Sequence, residues 1–180
     1  MKVKGSIFIN LIKVIKSDKS GIFDKYLTAQ DRGIINQKIY ASFWYPYETY
    51  KNCLNAIYDV YGKKNPSAAK EWGRTGCKQA MTNMYSAFIS DGDPMSFINS
   101  YGMIHKNFYD FGELEVIEEG KNQAVLKFTG LDAQCVPIFY MLQGWLEEGI
   151  ALCGAQNIKG VFLTKSWEGH PETSMRFTWV

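Results

Sequence analysis

The hydrophobic period changes once along this chain, near residue 111, and that change limits what the chain can fold into. Before it, apolar residues recur at steps of three and four. Ile7, Leu11, Val14 and Ile15 do so with lysines opposite, and Tyr47, Tyr50, Leu54, Ile57, Tyr58 and Tyr61 do so again. Such spacing lines one face of an α-helix. Beyond residue 111, Leu114 and Val116 alternate with Glu113, Glu115 and Ile117, and Ala124, Leu126 and Phe128 alternate in turn. Alternation is the mark of a half-buried β-strand.

Breakers and caps divide the helical part. The spacing predicts helices over 3–17, over Phe23–Thr28, over 47–61 and from Pro66 to about Ile89. Ser20-Gly21, Pro46 and Gly62 are the stops, and residues 29–46 carry no clear period. Pro66 suits a first helical turn. The fourth helix has Ala69, Trp72, Gly76, Ala80, Met84 and Phe88 on one face. Gly73 and Gly76 inside it cost about 1 kcal/mol each against Ala, and they permit another helix to approach closely. Asp91-Gly92-Asp93-Pro94 reads as a turn that launches a fifth helix, with Asp93 as its N-cap. Phe97, Tyr101, Ile104, His105 and Phe108 form that helix's apolar face.

In the second half, Glu119-Gly120-Lys121-Asn122 is a hairpin turn. A helix opening near Pro137 presents Ile138, Leu142, Trp145, Leu146, Gly149, Ile150 and Cys153, and Gly154 caps it. Strands follow over Ile158–Ser166 and Glu172–Val180, with Met175, Phe177 and Trp179 on one face. The expected class is α+β: a helical N-terminal half followed by a β-β-α-β-β antiparallel four-stranded sheet, in one domain spanning 1–180.

Charge and cysteines exclude several roles. Twenty basic and 18 acidic residues leave a net charge of +2, too weak a field for non-specific nucleic-acid binding. No apolar run reaches the length of a membrane span. The start of the chain has no cleavage pattern of a signal peptide. Cys53, Cys77, Cys135 and Cys153 contain no CxxC pair. They read as free, mostly buried thiols in a reducing compartment, and the expected location is cytoplasmic.

Catalytic chemistry is hard to build from these residues. There are two histidines. His170, between Gly169 and Pro171, reads as an exposed turn residue. His105 lies on an apolar helix face, either as a ligand or pocket group or as a core histidine. Glu147 and Glu148 point about 100° apart on a helix, so they do not converge, and both read as part of a solvated face. The cysteines lack zinc-site spacing. Gly73-Arg74-Thr75-Gly76 lacks the Gly-Lys-Ser/Thr ending of a P-loop and falls within a helix. Aromatic residues make up 15% of the chain. The stripe of Trp72, Phe97, Tyr101, Phe108, Phe139 and Trp145 either lines an apolar pocket or fills a core.

Met1-Lys2-Val3-Lys4-Gly5-Ser6-Ile7-Phe8 leading into a helix resembles the opening of haem–nitric-oxide-binding (H-NOX) domains. Tyr45-Pro46-Tyr47-Glu48, Trp72-Gly73-Arg74 and Met175-Arg176-Phe177-Thr178-Trp179 resemble a related bacterial family first noticed in myxobacteria. Gly144-Trp145-Leu146-Glu147-Glu148-Gly149 is similar to a helix of 4-vinyl-reductase domains and of TRAPP vesicle-tethering subunits. The resemblance covers nearly the whole chain through short motifs, and the element order matches better than the motifs do. It implies a sensor or scaffold domain, dimeric in many members, with an apolar molecule held in a pocket in many. In H-NOX domains a proximal histidine is joined by a Tyr-x-Ser-x-Arg motif that grips the haem propionates. His105 falls where that histidine would lie. The motif's positions hold Phe128, Gly130 and Asp132, which lack the charge-assisted donors two carboxylates need.

The expected protein is therefore a non-enzymatic sensor without a cofactor. A small hydrophobic ligand would bind among Trp72, Phe97, Tyr101, His105, Phe139 and Trp145, and there would be no catalytic residue and no metal unless His105 held haem. The alternative is an interaction scaffold with a filled core, acting as a homodimer or with a signalling protein. A haem-based gas sensor using His105 is the third reading.

Overall fold

The change of period is a change of structure: helices dominate up to Phe108 and strands follow from Glu113. A computed structural model of the chain describes residues 1–83, 85–90 and 92–180. Met84, expected on the face of the fourth helix, and Asp91, expected in the turn before the fifth, lie outside the described residues. The chain divides into two compact units, one of residues 1–68 and 105–111, the other of residues 69–104 and 112–180.

The first unit begins with a strand where a helix was expected. β1 (Lys2–Lys4) pairs antiparallel with β2 (Trp44–Pro46), and the helix α1 (Gly5–Ser17) starts only afterwards. Val3 is completely buried between two outward lysines, which is the alternation of a strand. Gly5 is required at the junction, since a Cβ there would lie 2.1 Å from the carbonyl oxygen of Tyr40.

The expected helix over Phe23–Thr28 does not form. The Asp18 carboxylate accepts from the backbone N–H groups of Ser20, Gly21 and Ile22, and Gly21 takes φ +75°, so this stretch is a series of turns. The helix α2 (Ala29–Ile35) comes after it, opened by a reciprocal capping box between Thr28 and Asp31. Asn52 of α3 (Tyr47–Val60) also donates to Asp31, at 2.9 Å, and joins the two helices. Burial alone would raise the Asp31 pKa, but hydrogen bonds from the Thr28 main chain, Asn52, Thr49 and the Thr28 side chain outweigh it and hold the carboxyl below its ordinary range.

In the second unit, α4 (Pro66–Asn83) stops short of the expected end at Ile89. Tyr85 N–H bonds back five residues to the Ala80 carbonyl, a helix-closing bond, and Ser86–Phe88 is a separate 3₁₀ turn. Asp93 accepts from Ser96 N–H as the N-cap of α5 (Pro94–Phe108).

β3 (Glu113–Gly120) and β4 (Gln123–Thr129) form the hairpin, α6 (Val136–Leu152) follows, and β5 (Lys159–Thr164) and β6 (Thr173–Thr178) complete a sheet ordered β3-β4-β6-β5, antiparallel throughout. Leu126, Phe128, Met175 and Phe177 of the sheet are buried, as are Ile138, Phe139, Leu142, Leu146 and Ile150 of α6. α4 and α6 meet backbone to backbone: a Cβ on Gly73 would lie 2.0 Å from Met141 O, and one on Gly144 1.9 Å from Lys70 O. Gly76, by contrast, has only the Trp145 ring, at 3.9 Å. Among the described residues no helix is long and apolar enough to cross a membrane.

Candidate functional site

His105 belongs to the first unit, on the last turn of α5, and is 2% exposed. Its ring stacks on Tyr109 with centroids 4.9 Å apart. Tyr109 meets Phe111 edge-on, Phe111 meets Tyr47 at 4.7 Å, and the hydroxyls of Tyr109 and Tyr50 are 3.4 Å apart. The imidazole thus sits in a wall of aromatic rings drawn from α3 and from the segment just after α5. Its Nε2 lies 3.0 Å from the Phe111 carbonyl oxygen. A carbonyl only accepts, so Nε2 carries the proton in this hydrogen bond. A ring N–H held by a backbone carbonyl is how proteins orient a metal-ligating histidine. The period of α5 revealed His105; its ring of aromatics comes from segments that no single-helix pattern connects.

The other five candidate residues lie in the second unit, and three of them come together. Trp145 stacks on Phe97 at 5.7 Å and tilts against Tyr101 at 5.1 Å. Tyr101 meets Phe128 at 6.4 Å, and Phe97 fills the space over Gly149, where a Cβ would lie 1.9 Å from its ring. Phe139 belongs to a different cluster with Trp167, 4.6 Å away. Trp72 is half-buried on α4. An open depression of about 500 Å³ is lined by residues including Asp93, Met95, Glu118, Lys121 and Trp179, and by none of the six candidates.

At the positions of the propionate-gripping motif, Phe128 is buried, Gly130 takes φ +70° in a turn, and Asp132 accepts from Gln134 N–H. No guanidinium stands among them.

One polar centre went unread in the sequence. Glu147 was expected on a solvated face but is 3% exposed. Its two oxygens take Lys70 Nζ at 2.8 Å, Arg74 at 2.7 Å and the Gly160 N–H at 3.1 Å, while Gln143 donates to the Gly160 carbonyl at 2.7 Å. The carboxylate therefore ties α4, α6 and β5 together. Glu148 does point elsewhere, toward Lys78 at 3.4 Å. The available signal was the i,i+4 pair Lys70 and Arg74, on the same helix as the close-approach Gly73.

Two of the thiols, Cys53 and Cys77, are poor nucleophiles. All four cysteines are buried and unbridged. Burial, and secondarily the Asp31 charge, pushes Cys53 up to about 12; burial likewise raises Cys77, with Glu148 adding to it. His170 is exposed, as expected. Among the described residues no group of three or more His, Cys, Asp or Glu is placed to hold a metal ion.

No protein-family model and no curated protein matches the chain. Solved structures do. A mutant of the H-NOX protein from K. algicida, in its Fe(II) unliganded state, is 12% identical with a TM-score of 0.72, over 98% of this chain and 96% of that one. An H-NOX protein from S. oneidensis in the Fe(II)NO state is 13% identical with a TM-score of 0.68, over 98% and 99%. The oxygen complex of an oxygen-binding H-NOX domain related to soluble guanylate cyclases is 13% identical with a TM-score of 0.65, over 98% and 94%. At such identities the likeness shows the fold: this chain has the H-NOX fold along nearly its whole length. The expectation of no cofactor, with haem disfavoured, is overturned by these neighbours, which are iron-bearing proteins in Fe(II), NO and oxygen states. The replaced motif bears on how propionates are gripped; it does not decide whether an imidazole is in place for iron.

Proposed function

We propose that this chain is a non-catalytic sensor domain that takes haem through His105. The observation that carries the reading is a buried, carbonyl-anchored imidazole in a chain with the H-NOX fold. His105 would be the residue that holds the haem iron, and a bound haem would supply a metal able to take a small gas molecule. The Phe111 carbonyl and the Tyr109 ring hold the imidazole plane. Tyr109 N–H bonds to the His105 carbonyl at 2.9 Å, and Tyr109 also bridges to Val3 of β1. A displacement of His105 therefore reaches the β1–β2 ribbon through two directly bonded residues. Phe128, Gly130 and Asp132, at the motif positions, offer no charge-assisted donor for a carboxylate.

The test is titration of purified protein with haem, ferric and reduced, read by the Soret band. The expected result is a saturable band that His105→Ala weakens by more than the ~10–100-fold that loss of a supporting partner costs a metal ligand. Added imidazole should restore it in His105→Gly. A wild-type spectrum no different from free haem, or a His105→Ala titration like wild type, would overturn the proposal and return the chain to the scaffold reading.

A further inference from the structure

The segment that leads into β2, together with the first residue of β2, carries aromatic rings in water. Phe43 is 59% exposed, Tyr40 47% and Trp44 38%. They are firmly placed. Gly5 N–H bonds to the Phe43 carbonyl at 2.8 Å, Ser6 N–H to Ala41 at 3.0 Å, and Tyr40 N–H to the Tyr45 hydroxyl at 2.9 Å. The loop thus caps the start of α1. Rings held out by such a network make up a built surface.

The same face is cationic. In the ribbon register Lys4 stands opposite Trp44 and Lys2 opposite Pro46, while Val3 faces inward. Lys4 Nζ lies 4.3 Å from the Trp44 ring centroid, and Lys38 Nζ lies 5.1 Å from that of Tyr40. Neither residues 1–17 nor residues 33–47 include an aspartate or glutamate. Of the carboxylates beside the ribbon, Glu48 pairs with Lys51, and the exposed Asp110 accepts from the Lys2 main-chain N–H.

Exposed Trp, Tyr and Phe interleaved with lysine suit the headgroup layer of an anionic bilayer, where rings enter the acyl boundary and ammonium groups meet lipid phosphates and carboxylates. We propose that this face, formed by Lys4, Lys38, Tyr40, Phe43 and Trp44, docks peripherally on an anionic lipid surface. A single shallow patch of this size gives weak, reversible attachment that falls with salt.

The experiment is cosedimentation of the full chain with vesicles of phosphatidylcholine alone and with about a third phosphatidylserine. Binding is expected only to the anionic vesicles, lost at high salt, and weakened about tenfold or more by Phe43→Ser with Trp44→Ser. Lys38→Glu should weaken it as well. All three side chains are outside the core, so thermal unfolding should stay unchanged. No binding to anionic vesicles, or equal binding by the aromatic variant, overturns the proposal. So does concentration-dependent self-association that the aromatic variant abolishes, since a second copy would then be the occupant.

Discussion

Glu147 is a carboxylate taken out of water and given three donors in return. Its partners are unequal: the Lys70 and Arg74 side chains keep 29% and 40% of their exposure, while Glu147 keeps 4%. Removing the carboxylate leaves two cations that can rehydrate and takes the acceptor from the part-buried Gly160 N–H. We therefore expect Glu147→Ala to cost about 2–3 kcal/mol, below the upper range for breaking a buried pair. Glu147→Gln should cost less, because it keeps an acceptor for Gly160. Urea unfolding of the two variants measures this, and an Ala variant within ~0.5 kcal/mol of wild type would show the pair to be energetically idle. The helical wheel was right that Glu147 and Glu148 diverge. It could not say which of the two faces inward, because that depends on Lys70 and Arg74, more than 70 residues away in the chain. His105 was legible for the opposite reason: its own helix period already put it on the buried face.

At the scale of elements, caps were readable and partners were not. Asp93-Pro94 announced α5, and the Glu119–Asn122 turn announced the β3–β4 hairpin, because both signals are local. Thr28-x-x-Asp31 was as local a signal, but the apolar residues just before it suggested a helix one segment too early. β1 was hidden because three residues carry too little period and its partner β2 lies 40 residues on. The α4–α6 crossing gives a sharp element-level prediction. Ala at Gly144 would gain about 1 kcal/mol of helix propensity, but its Cβ would fall 1.9 Å from a main-chain oxygen that cannot swing aside. Gly144→Ala should therefore destabilise by about 2–3 kcal/mol through forced separation of the helices. Gly102→Ala, in the middle of α5 with no atom within 4 Å of the added Cβ, should stabilise by about 0.5–1 kcal/mol. Opposite signs for two identical substitutions, read from thermal or urea unfolding, test the backbone contact directly. Equal signs would remove it as the explanation.

For the molecule as a whole, the order of elements proved a better guide than any motif. Helices, then β-β-α-β-β, is a pattern of periods spread over 180 residues, and it survives at 12% identity to the K. algicida protein. The expectation of no cofactor, in contrast, rests on Phe128, Gly130 and Asp132 alone, three positions in a fold that spans the chain. This sets up a measurement at the same scale. A ligand that binds only the folded chain stabilises it by mass action, about 2.7 kcal/mol at 100 times its dissociation constant. Haem held through His105 should raise the unfolding midpoint of wild type progressively with haem concentration. His105→Ala should show no concentration-dependent gain, even if its own baseline is lower. A rise shared equally by the two proteins would mean that haem adsorbs to apolar surface without ligation. A rise confined to wild type would tie the buried imidazole, its Phe111 carbonyl and the stability of the whole chain to one binding event.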